Sequence, residues 1–196
     1  MLHIHTLTLG DYQVNCYVVH QEASNRCVVI DPSYSPQRIL AYLQQNNLQL
    51  DAILLTHGHF DHVGGVRELA ADTDCLVYLN TAEELLPPQI TAGQLFYTNN
   101  YPANGQLQIA GMNFLVLHTP GHTPGSVCLL VEDAMFSGDT LFAGSCGRTD
   151  FPGGDWGTIV NSLHRLRDLP GDYRIFPGHA QSTTLEIERR SNPYMG

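Results

Sequence analysis

His57-Gly58-His59-Phe60-Asp61-His62 constrains this chain more than any other stretch. It packs three imidazoles and a carboxylate into six residues, directly after the apolar run 51–56. Such groups suit zinc, iron or manganese. On a helix, His57 and His59 would point about 200° apart; a strand would alternate them across its faces. A turning loop is therefore expected to gather all four, with Gly58, Gly64 and Gly65 supplying the freedom to turn.

Three further segments are built alike. Thr119-Pro120-Gly121-His122-Thr123-Pro124-Gly125 follows the apolar run 114–117. Ser137-Gly138-Asp139-Thr140 follows Ala134-Met135-Phe136, and Phe176-Pro177-Gly178-His179 follows Tyr173-Arg174-Ile175. Each is a strand-like segment running into a Gly- or Pro-containing loop with one His or Asp. His118 and His122 are four apart, but Pro120, Gly121 and Pro124 forbid a helix there. The helical i, i+4 metal pair is not the pattern.

These motifs, in this order, resemble the metallo-β-lactamase superfamily of dinuclear metal hydrolases. The resemblance runs from Asn15-Cys16-Tyr17 and Ile30-Asp31-Pro32 to the last helix. Gly147-Arg148-Thr149-Asp150-Phe151-Pro152 makes it most similar to the glyoxalase II-like and persulfide-dioxygenase-like branch. The resemblance implies an αββα sandwich with the metals at one edge. His57, His59 and His122 would hold one metal, Asp61, His62 and His179 a second, and Asp139 and a hydroxide would bridge them. Asp61 and Asp139 are thus implied as catalytic as well as ligating. The implied cofactor is two divalent ions, with zinc ahead of iron or manganese. Cations roughly 3.5–4 Å apart repel, and an anionic bridge screens them.

Pattern alone gives α plus β with stacked sheets. At 196 residues, one domain over 1–196 is expected. Strands are expected at 4–9, 13–20, 27–30, 52–55, 76–79, 106–109, 114–117, 127–131, 134–136 and 174–176. Ser35-Pro36 reads as an N-cap with Pro at N1, opening a helix with Ile39, Leu40 and Leu43 on one face. Further helices are expected at 65–71, 158–167 and 184–190, with a helical turn at 81–86. Residues 87–105 read as a long loop and candidate lid.

Net charge is −10 and the nine basic side chains are all arginine. That disfavours nucleic acid and anionic membranes as partners. No signal peptide is visible. Five cysteines, with no CxxC, read as reduced thiols of a cytoplasmic protein. Cys146 lies near the presumed site, with buried structural cysteine as its ordinary reading.

His3, His5, His20, His118 and His164 match no ligand position, although His118 has a second reading, orienting a ligand. Asp31 reads equally as a loop cap or as a hydrogen-bond partner of a ligand histidine. Arg148 is the candidate substrate-binding residue, as a carboxylate anchor or a lock on its loop. The run 186–190 reads as a solvated helix face.

The resemblance implies glyoxalase II-like thioester hydrolysis, with a small acyl-thiol as partner. The rival is persulfide dioxygenation on one ferrous ion held by His57, His122 and Asp139. A non-catalytic metal scaffold is the third reading. Full-length glyoxalase II carries a C-terminal helical domain with cationic glutathione contacts; this chain ends soon after His179 and has no lysine, so weak glutathione binding is expected.

Overall fold

Alternation along the strands assigns each side chain to a layer. The computed structural model describes residues 1–196. The elements run β1 (Leu2–Leu9), β2 (Val14–Gln21), β3 (Arg26–Ile30), α1 (Pro36–Gln45), β4 (Gln49–Leu54), α2 (Phe60–Val63), α3 (Val66–Thr73), β5 (Leu76–Leu79), a 3-10 turn (Thr81–Leu85) and β6 (Asn99–Asn100). Then come β7 (Gln106–Ile109), β8 (Met112–His118), β9 (Val127–Val131), β10 (Ala134–Gly138), β11 (Leu141–Phe142), β12 (Ser145–Cys146), α4 (Trp156–Arg167), β13 (Arg174–Pro177), β14 (Thr183–Thr184) and α5 (Leu185–Ser191).

One sheet has the order β1-β2-β3-β4-β5-β6 and the other β14-β13-β10-β9-β8-β7; β11 and β12 form a separate hairpin. The parallel pairs β3–β4, β4–β5, β5–β6 and β10–β13 need crossovers, which α1, α2–α3, the segment with the 3-10 turn, and α4 supply.

Val28, Ile30, Ala52 and Leu54 face the second sheet, where Met112, Phe114, Leu129 and Phe136 meet them. Their chain neighbours Cys27, Val29 and Ile53 turn the other way, onto Ile39 and Leu43 of α1 and Leu69 of α3. Beyond the second sheet, Cys128, Leu130, Met135 and Ile175 pack on Leu163 and Leu166 of α4 and Leu185 of α5. The layers are α, β, β, α, as the motifs implied. No helix is long and apolar enough to cross a membrane.

The sheets are stitched at one end. Asn15 N donates to Gly178 O at 2.8 Å, and Val127 N to Thr56 O at 2.9 Å. The Tyr17 hydroxyl donates to Pro177 O at 2.6 Å. These bonds set the C-terminal ends of β4, β10 and β13 side by side, so the loops after them share one edge.

Several expectations are corrected. Ser35 does not cap α1: its φ is +67° and its side chain makes no cap hydrogen bond, so Pro36 alone pre-forms the first turn. The 57–62 motif is not all loop, because Asp61 and His62 sit on the one-turn helix α2. Residues 87–105 are fastened rather than free. β6 pairs with β5, Phe60 N donates to Ile90 O, and buried Tyr101 donates its hydroxyl to Leu55 O at 3.0 Å. Glu188 is not on a solvated face. It is buried, accepting hydrogen bonds from Gly144 N, Asn192 Nδ2 and Thr183 Oγ1, which ties the β11–β12 hairpin to α5. The hairpin itself is too short to be read from sequence alternation.

Candidate metal centre

The loop after β4 delivers His57 and His59, and α2 turns Asp61 and His62 back toward them. The loops after β8, β10 and β13 add His122, Asp139 and His179. His57, His59 and His122 form one trio, with ring centroids 4.6–4.8 Å apart. Asp61, His62 and His179 form the other. Asp139 lies between them: Oδ2 is 3.6 Å from Nε2 of both His122 and His179, and Oδ1 is 3.5 Å from His62 Nε2. Gly178 permits this approach, since a Cβ there would collide with Asp139 Oδ1 and the His62 ring.

Backbone and side-chain acceptors fix which ring nitrogen points inward. His122 Nδ1–H donates to Arg148 O at 2.8 Å, and His179 Nδ1–H to Tyr12 O at 3.0 Å. A carbonyl only accepts, so each Nε2 keeps its lone pair for the centre. His62 Nδ1–H donates to Asp31 Oδ2 at 2.9 Å. Thr56 Oγ1 donates to that same Asp31 oxygen at 2.6 Å, which leaves it free to accept from His57 Nδ1 at 3.0 Å. Asp31 also accepts from Thr56 N at 2.8 Å. Both readings of Asp31 hold, loop cap and histidine partner.

The chemistry of this donor set fits a cation. Nε2 of His57, His59, His62 and His122, and Oδ1 of Asp139, are buried with no hydrogen-bond partner in the chain. Unsatisfied buried polar atoms are costly, and five of them converging on one spot suit a metal. Burial drives down the basicity of His57, His59 and His122, with the neighbouring imidazolium of His62 adding to it; His59 falls to about 3. Three neutral nitrogens result. In the second trio burial opposes charge, yet Asp139, Asp31 and Asp61 hold His62 up at about 9. Despite its own burial, Asp61 is held at about 2 by the adjacent His179 and His62 rings.

The remaining candidates fall outside the centre. The Arg148 guanidinium makes a bidentate pair with Asp150, both bonds 2.7 Å, and lies 3.9 Å over the Phe151 ring. Cys146 is half-buried, and burial pushes its thiol up, away from reactivity. His118 touches no ligand; its Nε2–H donates to Pro124 O at 2.8 Å, bracing the loop of His122. His3 stacks on His20 and His5 on Tyr42. The larger cavities, of about 580 and 600 Å³, open elsewhere, beside Arg67 and Phe96 and beside Gln106 and Phe114.

Glu83 escaped the sequence reading. It is fully buried in the 3-10 turn, accepting from Gly58 N through Oε2 and Gly125 N through Oε1, at 2.5 and 2.6 Å. One carboxylate thus clamps the two loops that carry the first trio. Nothing in Thr81-Ala82-Glu83-Glu84 separates it from a surface glutamate. Two stranded amides cost about 1–3 kcal/mol each, less the relief of not burying a carboxylate. Glu83→Ala should therefore lose about 2–4 kcal/mol of unfolding free energy, read from the denaturant midpoint at unchanged m. A change within about 0.5 kcal/mol would show that the clamp bears no strain.

The sequence model of the metallo-β-lactamase superfamily matches residues 9–179. Hydroxyacylglutathione hydrolase GloC of Haemophilus influenzae is 34% identical over 212 residues, covering 99% of this chain and 98% of that one. Among solved structures, the BLEG-1 B3 metallo-β-lactamase superposes with a TM-score of 0.91 at 33% identity, covering 100% and 99% of the two chains. TTHA1623 in a di-iron-bound form gives 0.84 at 39% identity, covering 97% and 99%.

Proposed function

This chain belongs to the metallo-β-lactamase superfamily, and from that premise we propose that it is a thioester hydrolase of the glyoxalase II type, working with two divalent cations. The observation that carries the reading is Asp139, whose two oxygens lie 3.5–3.6 Å from His62, His122 and His179 and so serve both trios at once. His57, His59 and His122 would hold one ion and Asp61, His62 and His179 the other, with zinc ahead of iron or manganese. Ions bound there supply Lewis acidity toward a carbonyl and hydroxide at neutral pH.

The reaction is RCO–SR′ plus water giving RCOOH and R′SH. The C–S bond breaks, a C–O bond forms, and the remaining water proton leaves with the thiol. A thiol with pKa about 8.5 departs without a strong general acid, in keeping with a centre whose buried imidazoles are mostly neutral. Asp61 and Asp139 serve catalysis as the carboxylates of the ligand set, with Asp139 placed between the two trios. Arg148, with its guanidinium committed to Asp150 and its carbonyl to His122, serves as the lock on its loop, and a substrate carboxylate would reach it only by displacing Asp150. Five free thiols accord with a cytoplasmic setting.

The rival reading uses His57, His122 and Asp139 alone for one iron in persulfide dioxygenation. The presence of Asp61, His62 and His179 does not by itself decide between the two, since the persulfide dioxygenases retain such residues; metal content and oxygen uptake do. The deciding experiment is metal analysis of anaerobically purified protein, with parallel assays of S-lactoylglutathione hydrolysis and oxygen uptake. About two metals per chain and hydrolysis without oxygen uptake are expected. One iron with persulfide-dependent oxygen uptake would install the rival. Full metal content with neither activity would leave a scaffold.

A further inference from the structure

The chain has nine cations other than histidine, all arginine, and each is engaged. Arg26 pairs with Asp51, Arg167 with Asp168, Arg174 with Asp133 and Arg190 with Glu186. Arg38, Arg67, Arg165 and Arg189 donate to backbone carbonyls. Only Arg148 stands by the metal centre, and its bond to Asp150 makes that pair neutral. The Asp150 carboxyl is held at about 2 by the Arg148 guanidinium, so it is charged at any working pH. The centre therefore has no free arginine at its mouth, on a protein of net charge −10.

Aromatic rings stand there instead. Phe60 lies in the motif between His59 and Asp61, with the Tyr12 ring edge-on at 5.1 Å. Tyr12 is 59% exposed, and its carbonyl holds His179. Phe142 is edge-on to His179 at 6.3 Å, and Phe151 to His59 at 5.9 Å. Tyr34 packs against Gly64, just past His62, and is 38% exposed. Tyr12 and Tyr34 are exposed and Phe60, Phe142 and Phe151 half-buried; rings around a polar centre recognise apolar or aromatic groups. They give nothing to a carboxylate, and desolvating an unpaired carboxylate is costly.

We propose that the thiol half of the substrate is uncharged and is held by this aromatic rim, so that the preferred substrates are neutral acyl-thiols and not glutathione thioesters. This rests on the thioesterase reading above, and two separate measurements keep the two apart. The first is binding, independent of turnover. Calorimetry on metal-loaded protein compares S-butylglutathione with S-butyl-N-acetylcysteamine, non-hydrolysable thioethers that share the butyl group and differ in charge. The neutral probe is expected to bind at least ~10-fold tighter, since it has no carboxylates to desolvate. Tighter binding of the glutathione probe overturns the proposal, whether or not any thioester is cleaved.

The second is kinetics on lactoyl thioesters of glutathione and N-acetylcysteamine. The neutral thioester is expected to show the lower KM at similar kcat. Tyr12→Ala keeps the carbonyl that holds His179 and removes the ring. It should raise KM for the neutral thioester about 5-fold, and by more than it raises KM for the glutathione thioester. An equal rise for both thioesters, or none for the neutral one, removes the rim from recognition. Failure to hydrolyse either thioester overturns the thioesterase reading, while the binding comparison still decides the rim.

Discussion

Asp139→Asn is expected to lower thioester turnover at least about 100-fold with the fold intact, in line with removing a major electrostatic element. The amide has the size of the carboxylate but not its charge. One of its two oxygens becomes an NH2 group, which faces His62 Nε2 on one side or His122 and His179 Nε2 on the other. In either orientation a nitrogen meets atoms that should be shared with a cation. The surrounding packing is carried by Ser137, Thr140 and the β10 backbone, so the thermal unfolding midpoint should move little. The checks are kcat under saturating metal and the unfolding midpoint by circular dichroism. Turnover within a few-fold of wild type would mean that Asp139 does not bridge.

His62→Ala should cut bound metal from about two ions per chain to about one, because losing a direct ligand of the second trio costs that site more than the roughly 10–100-fold typical of losing an outer hydrogen-bond partner. The side chain is completely buried and serves only the second trio and Asp31. Asp31 keeps its bonds from Thr56 N and Thr56 Oγ1 after the change, so no carboxylate is stranded. Elemental analysis after dialysis reads the result. Stoichiometry unchanged from wild type would dissolve the second site and favour the single-iron rival.

The centre was legible because its ligands travel in short motifs, each at the end of an apolar strand. Metal chemistry limits the residue types, and Gly and Pro mark the turns around His122, Asp139 and His179. The layers were legible too, since the alternation of Val28, Ile30, Ala52 and Leu54 against Cys27, Val29 and Ile53 survives in the sequence. What could not be read were partnerships made by backbone atoms. The carbonyls of Tyr12 and Arg148 orient two ligands, and neither residue's side chain announces it. Glu83 and Glu188 look like surface glutamates because their partners are amides from distant loops. Ser35 misled for a related reason: Ser-Pro is a frequent helix opening, but a left-handed φ there turns the side chain away from the amides it would cap.

That two inward histidines hang on main-chain carbonyls separates heritable change at the rim from change at the metals. Any residue at 12 or 148 carries the same carbonyl, so evolution can exchange Tyr12 or Arg148 for other side chains while His179 and His122 keep their aim. Substrate preference can drift by single substitutions without passing through an inactive intermediate. A scaffold wired this way can stay a working metal centre across a family whose members act on different molecules.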